Sequence, residues 1–311
     1  MNGEEDLMSK DIILITPGHG LVTDTLIMYG IVDELFRTYA WINGTVNLQG
    51  QRYVINLNNI RPSSISLPEK IRQYQNFHIS CGGRLEGKER VTAKLEISPT
   101  SGKFERVGAV WKRKQYKMCH QCEDFAEKAL EVYAGKRNIK KFTGTDKKRS
   151  SLREYWILSP VEIQLPLILS IKGLEISESI GELGSVNLPI MSSLLAFLSI
   201  LPSPLPGRSW LFSIYSVSKR LESAYIGGRA DNIHRFIWTI RKRYIEFPSL
   251  IRRLIELVKR EGNLSPLVRL TDVAMTPSLS LAYSAIRELR LALEKSELKK
   301  LGEALIEWCQ A

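Results

Sequence analysis

The sequence has few of the residues on which disulfide scaffolds, membrane spans and secretion depend. Only four Cys occur in 311 residues, which excludes a disulfide framework and indicates a reducing compartment. The most apolar window, 186–201, contains Asn187, Pro189 and three serines, and it falls short of the ~20 apolar residues that span a bilayer. The first ten residues lack the basic and apolar regions of a signal peptide. We therefore expect a soluble, cytoplasmic protein that contacts no membrane.

Signatures of catalysis are also missing. The motifs Gly-x-Ser-x-Gly, His-Glu-x-x-His and His-Asp do not occur, and there are only four His. The acidic residues are dispersed along the chain, whereas acid–base or two-metal chemistry requires convergent groups. The segment 17–20, Pro-Gly-His-Gly, lacks the glycine pattern of a phosphate-binding loop, so we interpret it as a strand-to-helix turn. These absences predict a protein that is not an enzyme.

Acidic residues are scarce relative to basic ones, and the positive charge is concentrated. Lys and Arg total 44 against 33 Asp and Glu. Residues 136–153 contain eight basic residues and one acidic residue, and residues 207–260 contain twelve and four. Clustered charge suits a polyanion, because Lys and Arg release counterions from phosphates, although a solvated basic surface is the alternative. The predicted nucleic-acid contacts are Lys136, Arg137, Lys140, Lys141, Lys147, Lys148, Arg149, Arg229, Arg235, Arg241, Lys242 and Arg243.

Two aromatic residues lie near the second basic cluster. Tyr225 and Trp238 are close in sequence to these cations, and aromatic rings beside cations stack on unpaired bases in single-strand binding proteins. For Trp238 we favour packing in the core, because an aromatic residue at helical spacing is more often buried.

Two short motifs predict a structural zinc site of ribbon type. They are an H-x-x-C and a C-x-x-C pair, and the predicted ligands are His78, Cys81, Cys119 and Cys122. Four protein donors complete a tetrahedral zinc site without an open position for water, which makes the metal structural. Two alternatives stay open: Cys119 and Cys122 are a redox pair, or His120 or water replaces His78 as the fourth ligand.

Hydrophobic periodicity predicts an α+β fold, with mixed α/β structure in the N-terminal region and a helical bundle at the C-terminus. Alternation indicates hairpins over 45–57 and 91–111. Helical spacing indicates a helix from Thr23 or Asp24 as its cap to Thr38, and another over 123–134.

Composition divides the chain into three parts. Residues 1–150 form an α+β domain with the zinc-ribbon-like insertion (78–122) and a mobile basic loop (135–151). Residues 151–206 are an apolar connecting core segment, and 207–311 are a basic bundle with four helical stripes beyond Gly228.

The segment Ile15–Leu35, ITPGHGLVTDTLIMYGIVDEL, together with the Cys motifs and the basic helical C-terminus, resembles the large subunit of archaeal type I-A CRISPR interference complexes (Cascade). Within that segment, Thr23-Asp24 and Tyr29-Gly30 carry the likeness.

The resemblance implies a non-catalytic role in antiviral defence. A subunit of this kind sits at one end of the guide RNA and helps to recognise the protospacer-adjacent motif, while base pairing with the guide supplies sequence specificity. The implied partners are target DNA, guide RNA, the other Cascade subunits and a separate helicase and nuclease. Two further hypotheses stay open: a zinc-ribbon enzyme of DNA or RNA metabolism, and a scaffold that binds acidic proteins.

Overall fold

The first sheet of the protein packs around a buried helix. In the computed structural model, β1 (Ile12–Ile15) leads into α1 (Leu21–Thr38), and the hairpin of β2 (Gly44–Gln49) and β3 (Arg52–Leu57) follows. Both β1 and β2 pair antiparallel with β3. Every residue of α1 from Leu21 to Val32 is buried, so α1 is a core helix. The structure describes residues 12–39, 42–58, 67–72, 90–92, 105–107, 110–112, 117–142, 149–172, 174–207, 209–217, 222–290 and 292–310.

The helix and the hairpin predicted for this part are confirmed, but the predicted helix caps are wrong. Thr23 and Asp24 lie inside α1, and the residue before the helix is Gly20, whose φ of 109° is accessible to glycine. Asp24 instead binds the preceding turn, since its Oδ1 accepts the backbone N–H of Gly18 at 2.8 Å.

Short strands and a second helix follow. The strands are β4 (Arg90–Thr92), β5 (Glu105–Val107), β6 (Val110–Lys112) and β7 (Lys117–Cys119), and β7 leads into α2 (His120–Tyr133). β4 pairs with β7, and β5 pairs with β6. The predicted hairpin over 91–111 is therefore wrong, because β4 and β5 each pair with a different strand. The predicted helix over 123–134 is confirmed up to Tyr133, the last residue of α2.

A second antiparallel sheet joins distant parts of the chain. Its strands are β8 (Ala134–Phe142), β9 (Arg149–Pro160), β11 (Trp210–Val217) and β12 (Glu222–Arg229), in the order β12-β11-β9-β8. Between them in sequence, β10 (Glu162–Gln164) pairs with β2 and extends the first sheet. The predicted loop at 135–151 is wrong for its described residues, because β8 and β9 form a hairpin. The predicted helical bundle from 207 is wrong at its start, because two strands precede the helices.

Three short helices connect the two halves of this sheet. They are α3 (Leu165–Lys172), α4 (Ile176–Leu183) and α5 (Ile190–Ile200). α5 is buried from Ser192 onwards, as predicted for an apolar core segment too short to span a bilayer. Among the residues that the structure describes, no helix is both long and apolar enough to cross a membrane.

The C-terminal part is helical. It comprises α6 (Asp231–Arg243), α7 (Phe247–Glu261), α8 (Ser265–Met275), α9 (Leu279–Leu289) and α10 (Lys295–Gln310). Four of these helices correspond to the predicted stripes, and α8 is additional. The chain thus has the predicted mixed architecture, with sheets towards the N-terminus and helices at the C-terminus. One cluster of buried apolar residues extends from Leu14 in β1 to Trp308 in α10, so the core continues across the predicted boundary at 206/207.

Candidate nucleic-acid interface

One face of α6 presents cationic and aromatic side chains to solvent. Asp231 anchors the start of the helix, because its carboxylate accepts the Trp210 backbone N–H and the Ser209 hydroxyl, both at 3.1 Å. The inner face is held by buried Ile233, Phe236, Ile237 and Ile240. This packing leaves Arg235, Trp238 and Lys242 exposed together on one outer face, and Arg243 is exposed at the end of the helix.

The predicted burial of Trp238 is wrong. Its side chain is 47% exposed, and the Lys242 Nζ atom lies 5.3 Å from the centre of its ring. The helical spacing of Trp238 does not coincide with the apolar stripe, because Ile237 and Ile240 already occupy the inner face. An exposed ring beside an ammonium group is suited to stacking on a base while the cation contacts phosphate.

The predicted cations of α6 differ in how they are held. Arg241 donates to the carbonyls of Leu201 and Pro202 at 3.1 and 3.3 Å, and partial burial lowers the pKa of Arg241. Arg243 forms an ion pair with Glu307 at 2.7 Å. These two arginines connect α6 to neighbouring segments.

Arg235 and Lys242 are the cations of α6 that remain available for a ligand. Arg235 donates to Asn232 Oδ1 at 3.3 Å, and within the described parts of the chain neither Arg235 nor Lys242 forms an ion pair with a carboxylate.

In the β8–β9 hairpin, two neighbouring predicted contacts have different environments. Lys136 is exposed. Arg137 is only 7% exposed, and its Nε donates to Glu154 Oε2 at 2.8 Å. The Arg137 guanidinium also lies 5.2 Å from the centre of the Trp156 ring. Arg137 is thus engaged inside the protein, and we leave it out of the candidate interface.

For the other predicted contacts, the structure describes the backbone alone or does not describe the residue. Lys140 and Lys141 are in β8, Arg149 is in β9 and Arg229 is in β12. Lys147 and Lys148 lie outside the described residues.

Strand register places the paired ends of both hairpins at one end of the second sheet and the start of α6 at the other. Phe142 is opposite Arg149, and Val217 is opposite both Arg153 and Glu222, so both hairpins turn at the same end. The sequences that join their strands, 143–148 and 218–221, each contain two basic residues.

α6 leaves from the opposite end of this sheet. Arg229 is level with Leu211 and Ser159. From Ser159 to Arg149 the chain runs ten residues along β9, or about 33 Å at the rise of a strand. A ligand that contacts both Arg149 and the start of α6 has to span this distance.

Half of the predicted zinc site is described. Cys119 and Cys122 are buried at the start of α2, and Cys119 Sγ accepts the Cys122 backbone N–H at 3.4 Å. A helix N-terminus and an N–H···S hydrogen bond favour the thiolate that zinc requires, so this half fits the metal. His78 and Cys81 lie outside the described residues. Among those described, no three His, Cys, Asp or Glu side chains cluster as metal ligands.

The N-terminal segment uses its polar residues to join the two sheets. The Tyr29 hydroxyl donates to the Leu158 carbonyl of β9 at 2.6 Å, and its ring stacks on Tyr133 of α2 with 4.4 Å between centroids. The Tyr53 hydroxyl donates to the Pro160 carbonyl at 3.0 Å. These contacts connect α1 and β3 to the second sheet and α2.

The turn before α1 is held by a buried carboxylate. Burial is the largest cause that raises the pKa of Asp24 to about 6, and hydrogen bonds from Thr16, Gly18 and His19 together with the charge of Arg52 oppose it. His19 itself is buried. Asp24 therefore has a local structural function in this turn.

The comparison with protein families bears on this N-terminal segment. Residues 12–76 match the family model described as CRISPR-associated protein (Cas_Csa4). The match indicates a CRISPR-associated protein. It covers β1, α1, β2 and β3, the elements that contain Asp24, Tyr29 and Tyr53. A comparison with curated proteins found no match.

Proposed function

We propose that the protein is a non-catalytic, nucleic-acid-binding large subunit of a type I-A CRISPR complex, in which it helps to recognise the protospacer-adjacent motif and to hold target DNA for antiviral defence. Its proposed partners are target DNA, guide RNA, the other Cascade subunits and the separate helicase and nuclease. The observation that carries the binding part of this proposal is the exposed face of α6, where Arg235, Trp238 and Lys242 lie together.

The CRISPR assignment is supported by the family match over residues 12–76. The binding assignment is supported by the different environments of the cations. Arg137, Arg241 and Arg243 are engaged within the protein, whereas Arg235 and Lys242 are directed to solvent. Phosphate contacts from such residues position a nucleic acid without reading its sequence, which suits a subunit whose guide RNA supplies specificity.

The test is the salt dependence of binding. We expect the logarithm of the affinity for a DNA duplex to fall linearly with the logarithm of the salt concentration, and Arg235→Gln and Lys242→Gln each to reduce the slope by about 0.9, the value for one lost phosphate contact. The matched control is Arg287→Gln, an exposed arginine on α9. Binding without salt dependence, or an equal effect of the control, contradicts the proposal.

A second experiment tests the complex. The untagged protein purified from its native cells is expected to elute with a guide RNA and companion subunits. Elution with protein partners alone would favour a scaffold, and turnover of DNA, RNA or nucleotides by the pure protein with magnesium or manganese would favour an enzyme.

We also propose that the Cys motifs bind structural zinc. Mass spectrometry should find about one zinc ion per chain, and Cys119→Ser and His78→Ala should lower this content. Cys309→Ser on α10 is the matched control, because Cys309 belongs to neither motif. Zinc content that is unchanged in Cys119→Ser contradicts this assignment.

A further inference from the structure

A cavity of about 670 Å³ opens between α6, α10 and the segment before β11. Its volume falls within the ~300–1,000 Å³ typical of ligand sites. The residues that give it chemical character are His234, Arg235, Trp238, Thr239, Trp308 and Cys309. It adjoins the exposed face of α6, since Arg235 and Trp238 belong to both.

The inner wall of the cavity is a fixed aromatic ring. Trp308 is 7% exposed, and its indole N–H donates to the Val273 carbonyl at 2.9 Å. Phe236 packs against it edge to face, with 5.5 Å between centroids. The Arg235 guanidinium lies 6.0 Å from the centre of the Trp308 ring, so a planar cation borders the inner wall.

The outer wall is the half-exposed Trp238, with the Lys242 ammonium 5.3 Å from its ring centre. His234, Trp238 and Lys242 are spaced four residues apart on α6, and residues at this spacing share a helix face. An aromatic wall and a cation therefore stand together at the rim of the cavity.

His234 supplies a polar group without a partner. Burial lowers the pKa of His234, and the charge of Asp231 and a hydrogen bond to the Leu205 backbone oppose this effect. Its Nε2 atom is buried and has no hydrogen-bond partner among the described residues. In a neutral imidazole one nitrogen donates and the other accepts. Since the bond to Leu205 requires a donor, Nε2 is the acceptor nitrogen of the neutral ring.

We propose that this cavity binds one unpaired nucleobase of a single-stranded nucleic acid, which deepens the proposed function above and rests on it. The base stacks on Trp238, a ring N–H or amino group donates to His234 Nε2, and Arg235 and Lys242 bind the adjoining phosphates. A base within a duplex has no free face for such stacking, so the ligand is a displaced or single strand.

The test compares single-stranded and duplex DNA with the full-length protein. The probe is a single strand of about 15 nucleotides with 2-aminopurine at one position, whose fluorescence reports stacking. We expect Trp238→Ala to weaken single-strand binding about 5- to 150-fold and to abolish the fluorescence change. Duplex affinity and the salt slope should change less than about twofold, since no phosphate contact is lost.

Two further variants separate a binding effect from a structural one. Trp238→Phe retains a ring and should restore most of the affinity and the fluorescence change. Tyr283→Ala removes an aromatic residue of α9 that is 60% exposed and outside the cavity, and it should leave both unchanged.

The outcomes distinguish this inference from the function on which it rests. If Trp238→Ala binds single strands like the unmodified protein while Lys242→Gln still lowers the salt slope, the base site is refuted and the proposed function stands. If the unmodified protein binds no nucleic acid, both are refuted. If Trp238→Ala instead loses a companion protein with single-strand affinity unchanged, the occupant is a protein segment and the base site is refuted.

Discussion

Lys136 and Arg137 are neighbours in β8, yet only one of them has a solvated side chain. The period of a strand places consecutive residues on opposite faces, and here one face meets solvent while the other meets Glu154 and Trp156. At the scale of single residues, burial therefore separates cations that hold the fold from cations that are available for a ligand.

The Arg137–Glu154 pair gives a stability prediction. Arg137→Leu leaves the Glu154 carboxylate buried without its guanidinium partner, and breaking a buried pair in this way costs about 3–5 kcal/mol. We expect a fall of this order in the free energy of unfolding, measured by urea denaturation. The control Lys136→Gln, at the adjacent exposed position, should stay within about 0.5 kcal/mol. Equal stability of the two variants would show that the pair is dispensable.

Asp24 gives a pH prediction. Burial raises the pKa of Asp24 from 3.8 to about 6, so the folded state keeps this proton at a pH where the unfolded chain has lost it. Stability therefore decreases as the pH rises from about 4 to about 6, by up to about 3 kcal/mol from this residue. Asp24→Asn should remove that contribution, and urea denaturation at about pH 4 and pH 7 measures it.

The matched control for Asp24 is Asp272→Asn, at the exposed surface of α8. The control should keep the pH dependence of the unmodified protein. An Asp24→Asn variant with the same dependence as the unmodified protein would show that Asp24 does not titrate in this range.

At the scale of elements, the packing of α1 on α2 depends on Gly30. A Cβ atom at this position would overlap the backbone carbonyl of Phe125, so the two helices approach at a distance that only glycine permits. Tyr29 stacks on Tyr133 at the same interface. The pair Tyr29-Gly30, which carried the family resemblance, thus has a packing function.

Substitution of Gly30 should reverse the usual effect of alanine in a helix. Helix propensity alone favours alanine by about 1 kcal/mol, but overpacking against backbone costs about 1–3 kcal/mol. We expect Gly30→Ala to lower the melting temperature. The control is Gly181→Ala in α4, where an added Cβ meets nothing within 4 Å, and it should raise or preserve the melting temperature. A Gly30→Ala variant as stable as the control would contradict the close approach.

Local periodicity predicted those elements whose burial pattern is regular. α1, the β2–β3 hairpin and the inner stripe of α6 were recognisable because apolar residues recur at a fixed spacing. The segment 135–151 was not, because its Gly and Lys residues are typical of loops, whereas its described residues form β8 and the start of β9, which pair with each other. The pairing of β9 with β11 joins residues that are far apart in sequence, which a local pattern does not show.

The charge of the candidate interface was predictable from the sequence, but the cavity beside it was not. The basic run of α6 identified Arg235 and Lys242, and the same criterion wrongly grouped them with the buried Arg137. The cavity was missed because Trp308 joins Trp238 only when α10 packs on α6.

At the scale of the whole molecule, the distance between Arg149 and the start of α6 sets the length of nucleic acid that contacts both ends of the second sheet. About 33 Å corresponds to roughly ten base pairs, because successive phosphates of a strand are about 3.4 Å apart along the helix axis. A longer duplex gains from contacting both ends, whereas a shorter one contacts either end alone.

This distance predicts a dependence on duplex length. Charge reversal of Lys147, Lys148 and Arg149 should weaken binding of a duplex of about 20 base pairs strongly, since a bridging contact is lost. On a duplex of about six base pairs the loss should be at most about twofold, because the α6 cluster still binds it. Fluorescence anisotropy at one salt concentration measures both affinities, and an equal loss at both lengths would contradict the separation of Arg149 from α6.

The hydrogen bond from Tyr29 to Leu158 has a consequence for how the protein is made. Its two partners are 129 residues apart in sequence, and ribosomes add about 5–20 residues per second. The part of α1 that packs on β9 therefore stays uncovered for on the order of ten seconds until β9 emerges. Slower translation downstream of α1 would lengthen the exposure of this surface.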